Sequence, residues 1–173
     1  MEDKLALGVR HTAPAEGRIL AVNRGHRRAL KSVIIELSRG ELEGRPDAPR
    51  FSAFSGRHPS GLAGEHVREL LLESGMWTAL RGRPFSRVAN PADRPHSLFV
   101  TAVDTNPLAA SVETVMMGAQ GAFESGLFAL SKLTDGPLFV CTAKGMPLTL
   151  PKIDRLQREE FSGPHPSGTV GLH

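Results

Sequence analysis

Tyrosine is absent from this 173-residue chain, tryptophan and cysteine occur once each, and aromatic residues make up 5% of the total. The lone cysteine, Cys141, excludes an internal disulfide and any zinc or iron–sulfur centre built from several cysteines. It falls within the apolar run Leu138 to Thr142, which reads as a buried strand, so an inert core thiol is expected. The scarcity of rings also bears on nucleic acid, whose binders present a dense basic face with stacking aromatics. Here the formal net charge is only +3. That excess lies in residues 1–50, with ten Lys/Arg against seven Asp/Glu, because residues 51–173 hold eleven of each. Arg24, Arg27, Arg28 and Lys31 read most simply as a solvated basic edge. The sharper reading sets them against anionic lipid head groups or an acidic partner protein.

Long apolar runs are lacking as well. The best is Leu98 to Val103, far short of the roughly 20 residues of a membrane helix, and the N-terminus has no basic-then-apolar signal pattern. With 40% hydrophobic residues the chain can bury the core of one domain, or of one domain plus a fragment of another. It is expected to be cytoplasmic, meeting a membrane at its surface or through a partner. Several catalytic signatures are also missing: a G-x-S-x-G elbow, a P-loop, and a full G-x-G-x-x-G after a strand. Gly118-Ala-Gln-Gly121 falls inside a predicted helix, where its glycines suit close helix packing.

What is present divides at the breakers. Ile19–Val22 and Ser32–Leu37 predict short strands around a turn at Arg24-Gly25. The start Ala13-Pro14-x-x-Gly17-x-Ile19 resembles half of a lipoyl-like barrel-sandwich, so residues 1–38 are expected to be a partial β segment with unpaired edges. No Met-Lys-Met hairpin tip marks it as a swinging-arm carrier. Residues 39–64 are dense in Gly and Pro and predict a linker or long loop. From 65 to 173 the pattern is α/β. A helix carries Val67, Leu70 and Leu71 on one face, with Glu65 and Glu69 favouring its N-terminal dipole and Ser74-Gly75 its end. Ser97–Val103 predicts a strand, Val112–Lys132 one long helix, Leu138–Thr142 the next strand, and Asp154–Phe161 a last extended segment. Strand, helix, strand implies a right-handed parallel crossover. Ligands of such sheets sit beyond the carboxyl ends of the strands, where Asp104-Thr105-Asn106-Pro107 emerges.

Two loops carry the candidate chemistry. Trp77, Arg81, Arg83 and Phe85 combine flat apolar surface with fixed guanidinium donors. Asp104 and Asn106 sit at a strand end before Pro107, where Asn106 is pushed from helical φ/ψ and can bond within its own loop. The sharper expectation makes the two loops walls of one crevice, with Asp104 anchoring Arg81 or Arg83. The plainer one has Trp77 and Phe85 packing the helix onto the sheet and Asp104 and Asn106 forming a turn. Histidines offer little for a metal: His58 and His66 lie in GRHPSGLAGEH, and His165 and His173 in GPHPSGTVGLH. Each pair is eight positions apart through Gly/Pro-rich loop rather than i, i+4 on a helix. Similar turn chemistry in two loops accounts for the echo.

The segments TAPAEGRI (12–19), RGHRRALKSVII (24–35), WTALRGRPFS (77–86), DTNPLA (104–109) and FSGPHPSG (161–168) resemble, in order and over nearly the whole chain, the A subunit of the sodium-translocating NADH:quinone oxidoreductase. The resemblance implies an α/β Rossmann-like domain related to the flavin subunit of complex I, preceded by an incomplete barrel-sandwich segment, in a chain lacking the start and the C-terminal part of the family's. It implies a peripheral subunit on the cytoplasmic face of the inner membrane, in a complex that couples electron transfer from NADH to ubiquinone with sodium export. Flavins and the iron–sulfur centre would reside in partner subunits, with no redox centre in this chain, and ubiquinone is the ligand implied for the Trp77, Arg81, Arg83 and Phe85 crevice. The loop Arg81-Gly82-Arg83-Pro84-Phe85 looks like a degenerate form of the glycine-rich flavin loop of complex I and of the Rnf C subunit. Only Gly82 remains where consecutive glycines would let backbone N–H groups approach a flavin phosphate, and Pro84 has no N–H to donate. An FMN-binding electron-transfer domain of the Rnf type and an inactive binding fragment are the alternatives.

Overall fold

The computed structural model describes residues 1–3, 6–47 and 50–169. The β-rich start is a two-stranded antiparallel hairpin, β1 (Gly17–Arg24) and β2 (Leu30–Leu37), with register irregularities between Ile19 and Ala21 and between Asn23 and Arg24. Its β-branched residues favour extended backbone, yet Ile19, Leu20, Val22, Val33 and Ile34 are all exposed, so neither face is covered. The segment expected to be a linker has local order. Ser38 caps the four-residue α1 (Arg39–Leu42) by accepting from the Glu41 N–H at 3.1 Å. The Glu41 carboxylate then accepts the Glu16 N–H and so ties this turn to the base of β1.

α2 (Gly64–Glu73) ends at Ser74 and Gly75 as its sequence predicts. It buries Val67 in a cluster with Trp77, Leu133, Ala6 and Val9. Val9 is wholly buried. The first residues of the chain therefore pack against α2 and the residues around it, although periodicity shows nothing there. A one-turn helix, Met76–Ala79, leads into the minimal hairpin β3 (Arg81–Gly82) and β4 (Arg87–Val88).

The main sheet is three-stranded and all parallel: β5 (Leu98–Ala102), β6 (Leu138–Ala143) and β7 (Leu156–Phe161), in that order. Between β5 and β6 the single helix expected over 112–132 is two, α3 (Val112–Met116) and α4 (Gln120–Ser131). The break lies at Gly118, whose φ of +77° is a left-handed conformation that ends a helical turn. Close packing at these glycines is not found, since a Cβ on Gly118 or Gly121 would meet open space. Leu127 and Leu130 of α4 and Met116 of α3 cover one face of the sheet over Leu138, Val140 and Ala102. On the other face Phe99 and Phe139 stack with centroids 4.9 Å apart, Phe99 still half exposed. Cys141 is buried as expected, and burial, then the Glu159 carboxylate, pushes its thiol pKa up, away from reactivity. Among the described residues no helix is long and apolar enough to cross a membrane.

Candidate functional site

Trp77 and Phe85 have opposite environments. Trp77 is 3% exposed, and its indole Nε1–H donates to the Ala89 carbonyl at 2.7 Å. The Arg68 guanidinium lies 5.2 Å from the ring centroid. Both the apolar surface and the polar handle of this ring are thus spent inside the protein, and the expectation that Trp77 stacks on a ligand in an open crevice is corrected. The physical reason is the adjoining turn: Met76–Ala79 directs Trp77 onto α2, where burying a large ring is most favourable. Phe85 is 79% exposed at the tip of the β3–β4 hairpin. The Arg87 guanidinium stands 5.9 Å from its ring centroid. Arg81 and Arg83 are exposed, and among the described residues neither forms an ion pair. Arg81, Arg83 and Phe85 therefore form a bare, basic and aromatic tip.

Asp104 and Asn106 form a self-contained turn. The Asp104 carboxylate accepts the Asn106 backbone N–H at 2.9 Å and its side-chain amide at 2.7 Å. These bonds, with the nearby His165 adding to them, hold its pKa below the usual carboxylate value. Anchoring of Arg81 or Arg83 by Asp104 is not found. The carboxylate is satisfied two residues away, and among the described residues no ion pair or hydrogen bond joins this loop to the β3–β4 tip. The two loops are not walls of one crevice built on such contacts.

What the 104–107 loop does meet is the Gly163–Gly168 segment. Thr105 Oγ1 donates to the Ser167 carbonyl at 2.9 Å and lies 3.3 Å from His165 Nδ1. Gly168 is buried at φ +72°, where an added Cβ would stand 2.8 Å from Val103 Cγ1. β5 and β7 are both parallel to β6, so the loops after them emerge at the same carboxyl edge of the sheet. Position 108 follows as a fully exposed leucine with φ +65°. Sequence reasoning placed Asp104, Thr105 and Asn106 at this edge but missed the contact of Thr105 with His165 and Ser167. The available signal was that DTNPLA and FSGPHPSG each follow a predicted extended segment of the same unit.

The histidine echo resolves into two different turns. His58 Nδ1 accepts the Ser60 N–H at 3.3 Å, and its ring stands edge-on to Phe128, 5.2 Å between centroids. His165 instead faces Thr105. Both copies close a turn from the proline carbonyl three residues on, to the Leu62 N–H and to the Thr169 N–H, and they differ in the positive φ of Gly168 and in what they pack against. His173 lies outside the described residues.

The structure is a three-stranded parallel α/β domain preceded by a β hairpin with both faces bare. A family model described as the NqrA second alpha/beta domain matches residues 63–173, and one described as the NqrA N-terminal barrel-sandwich hybrid domain matches residues 1–38. The chain belongs to the NqrA family. It is 45% identical over 172 residues to the A subunit of the Na(+)-translocating NADH-quinone reductase of Yersinia pseudotuberculosis, covering 99% of this chain and 37% of that relative. To the proteins of that name from Alcanivorax borkumensis and a Marinomonas strain it is 42% and 43% identical over 171 residues, with the same coverage. It spans 37% of the length of the curated relatives it matches.

Proposed function

We propose that this chain serves as part of a peripheral A subunit in a sodium-translocating NADH:quinone reductase, at the cytoplasmic face of the inner membrane, in a complex that passes electrons from NADH to ubiquinone and exports sodium. The observation that carries this reading is the 45% identity to a relative of that name along 99% of the chain. Its part in the complex is structural, with flavins and the iron–sulfur centre held by partner subunits. The β3–β4 tip supports that division. Gly82 is paired with Arg87 in a short ladder, and Pro84 offers no N–H, so the tip lacks the run of free donors that a flavin phosphate needs. Descent of the α/β unit from a flavin-binding ancestor related to complex I accords with the parallel β5–β6 crossover and the position of its loops.

The quinone contact is assigned to Arg81, Arg83 and Phe85, without Trp77. These three present guanidinium donors and one ring face to whatever the protein meets, at no cost to the core. The test is the full-length protein assembled with its partners. Arg83→Ala with Phe85→Ala should leave assembly intact and raise the KM for ubiquinone. Unchanged KM and turnover would remove the quinone role while leaving the subunit reading in place. Failure of the unmodified protein to restore sodium-dependent NADH:ubiquinone turnover to a complex lacking it would remove the subunit reading itself.

A further inference from the structure

The first HPSG turn lies far in sequence from the α4 residues it meets. His58 holds the turn Pro59–Gly61 against α4 through its edge contact with Phe128 and a 3.4 Å approach of Nε2 to Ser125 Oγ. Between this turn, the C-terminal end of α4 and the segment 152–155 lies an open cleft of about 420 Å³. That is within the roughly 300–1,000 Å³ of small-molecule sites. Phe128 and Ile153 supply its apolar lining and Lys132, Lys152 and Arg155 its positive charge, while the hydroxyls of Ser131 and Ser60 are engaged within the protein, by the Phe128 carbonyl and by His58 Nδ1, each at 2.8 Å.

Three features of this cleft favour an anion. Lys132, Lys152 and Arg155 line the cleft with a single carboxylate, Asp154, an excess of two positive charges among its lining residues. Among the described residues the ammonium groups of Lys132 and Lys152 have neither an ion-pair nor a hydrogen-bond partner, so their donors are free. Arg155 is held in place by donating to the Asp135 carbonyl, on a backbone with φ +63° that a non-glycine residue adopts at a cost. A phosphomonoester carries about −1.5 to −2 charges near neutral pH and accepts hydrogen bonds on three oxygens. It matches both the charge excess and the donors, and an apolar group attached to it would rest on Phe128 and Ile153.

We propose that the cleft bounded by the Pro59–Gly61 turn, the end of α4 and residues 152–155 binds a phosphate monoester with an apolar body, held by Lys132, Lys152 and Arg155. The ester has two sources, a small molecule in solution or a phospholipid head group such as phosphatidic acid. Phenyl phosphate titrated into the isotope-labelled chain should saturate and shift the amide resonances of Ser60, Ser131, Lys132 and Lys152–Arg155. Lys152→Ala and Lys132→Ala should each weaken that binding about tenfold, the loss of one charge-assisted contact. Arg94→Ala, in a second cleft lined by Glu65, Arg68 and Asp135, should not. Vesicles of phosphatidic acid in phosphatidylcholine, against phosphatidylcholine alone, separate the sources. Sedimentation that Lys152→Ala abolishes identifies a lipid head group; phenyl phosphate binding without sedimentation identifies a soluble ester. Absence of both, unaltered affinity in both lysine variants, or equal shifts with benzyl alcohol would overturn the proposal. The readout uses the chain alone, so none of these results depends on assembly with partner subunits.

Discussion

Replacing Trp77 with phenylalanine separates a ligand-facing ring from a structural one. The exchange keeps an aromatic ring but removes the indole N–H, leaving the half-buried Ala89 carbonyl without the donor that now sits 2.7 Å away. An acceptor stranded in this way costs about 1–3 kcal/mol. Shrinking the ring adds a void beside Val67 and Leu133 and weakens the contact with the Arg68 guanidinium, worth about 0.5–1 kcal/mol by itself. The expected destabilisation is about 2–3 kcal/mol, which for a chain of this length lowers the midpoint of thermal unfolding by roughly 4–12 °C. Urea unfolding followed by far-ultraviolet circular dichroism gives the free energy, provided the m value is unchanged. Because Trp77 is the chain's only tryptophan, emission from the unmodified protein should also be blue-shifted and weakly quenched by iodide. A loss below about 0.5 kcal/mol, the scale of ordinary surface exchanges, together with ready quenching, would refute this placement of the ring.

Three further outcomes follow from the same geometry. Gly168→Ala forces a left-handed backbone on a residue with a Cβ and drives that carbon to 2.8 Å from Val103; a loss of about 1–3 kcal/mol is expected, with faster amide exchange at residues 104–106. Glu73 accepts the Ala53 N–H first, then the Ser52 N–H and hydroxyl, which lower its pKa. A depressed carboxylate stabilises the fold above its unfolded pKa and loses that contribution as pH falls through the folded value. Acidification below the ordinary carboxylate range should therefore release residues 52–53, seen as faster amide exchange, and Glu73→Gln should weaken that pH dependence. Exchanging Ile19 and Ile34, both exposed on the first hairpin, for serine should reduce binding of a hydrophobic dye by the chain without lowering the stability of the α/β core.

The elements legible in advance were those whose signal is local. β5 and β6 announced themselves as short apolar runs, the apolar stripe of α2 by periodicity, and Ser74-Gly75 by cap chemistry. The interruption of the long helix at Gly118 was written in the sequence but outweighed by the apolar stripe on either side. Ala6 and Val9 gave no signal, because a bridge such as Glu2 to Arg10 shows no repeat and the core partners Val67, Trp77 and Leu133 lie more than 50 residues away. For the candidate site, Asp104 and Asn106 were placed at a strand end by spacing alone. Their hydrogen-bonded neighbour, the 163–168 loop, was found only when β5 and β7 were seen to run in the same direction beside β6.

By itself the sequence determined the class of the chain: hydrophobic periodicity set the strand–helix–strand order, and an ordered series of loop motifs set the family. These are properties of neighbouring residues, and neighbours in sequence remain neighbours in space. The tertiary structure decided which side chains are available. Trp77 and Phe85, eight positions apart in one motif, end in opposite environments because one turn directs an indole onto α2 while a minimal hairpin carries the phenyl ring to its tip. Two copies of His-Pro-Ser-Gly take different turns, one against Phe128 and the other against Thr105. Burial and pairing are set by what arrives from elsewhere in the chain, and no local pattern of residues records that.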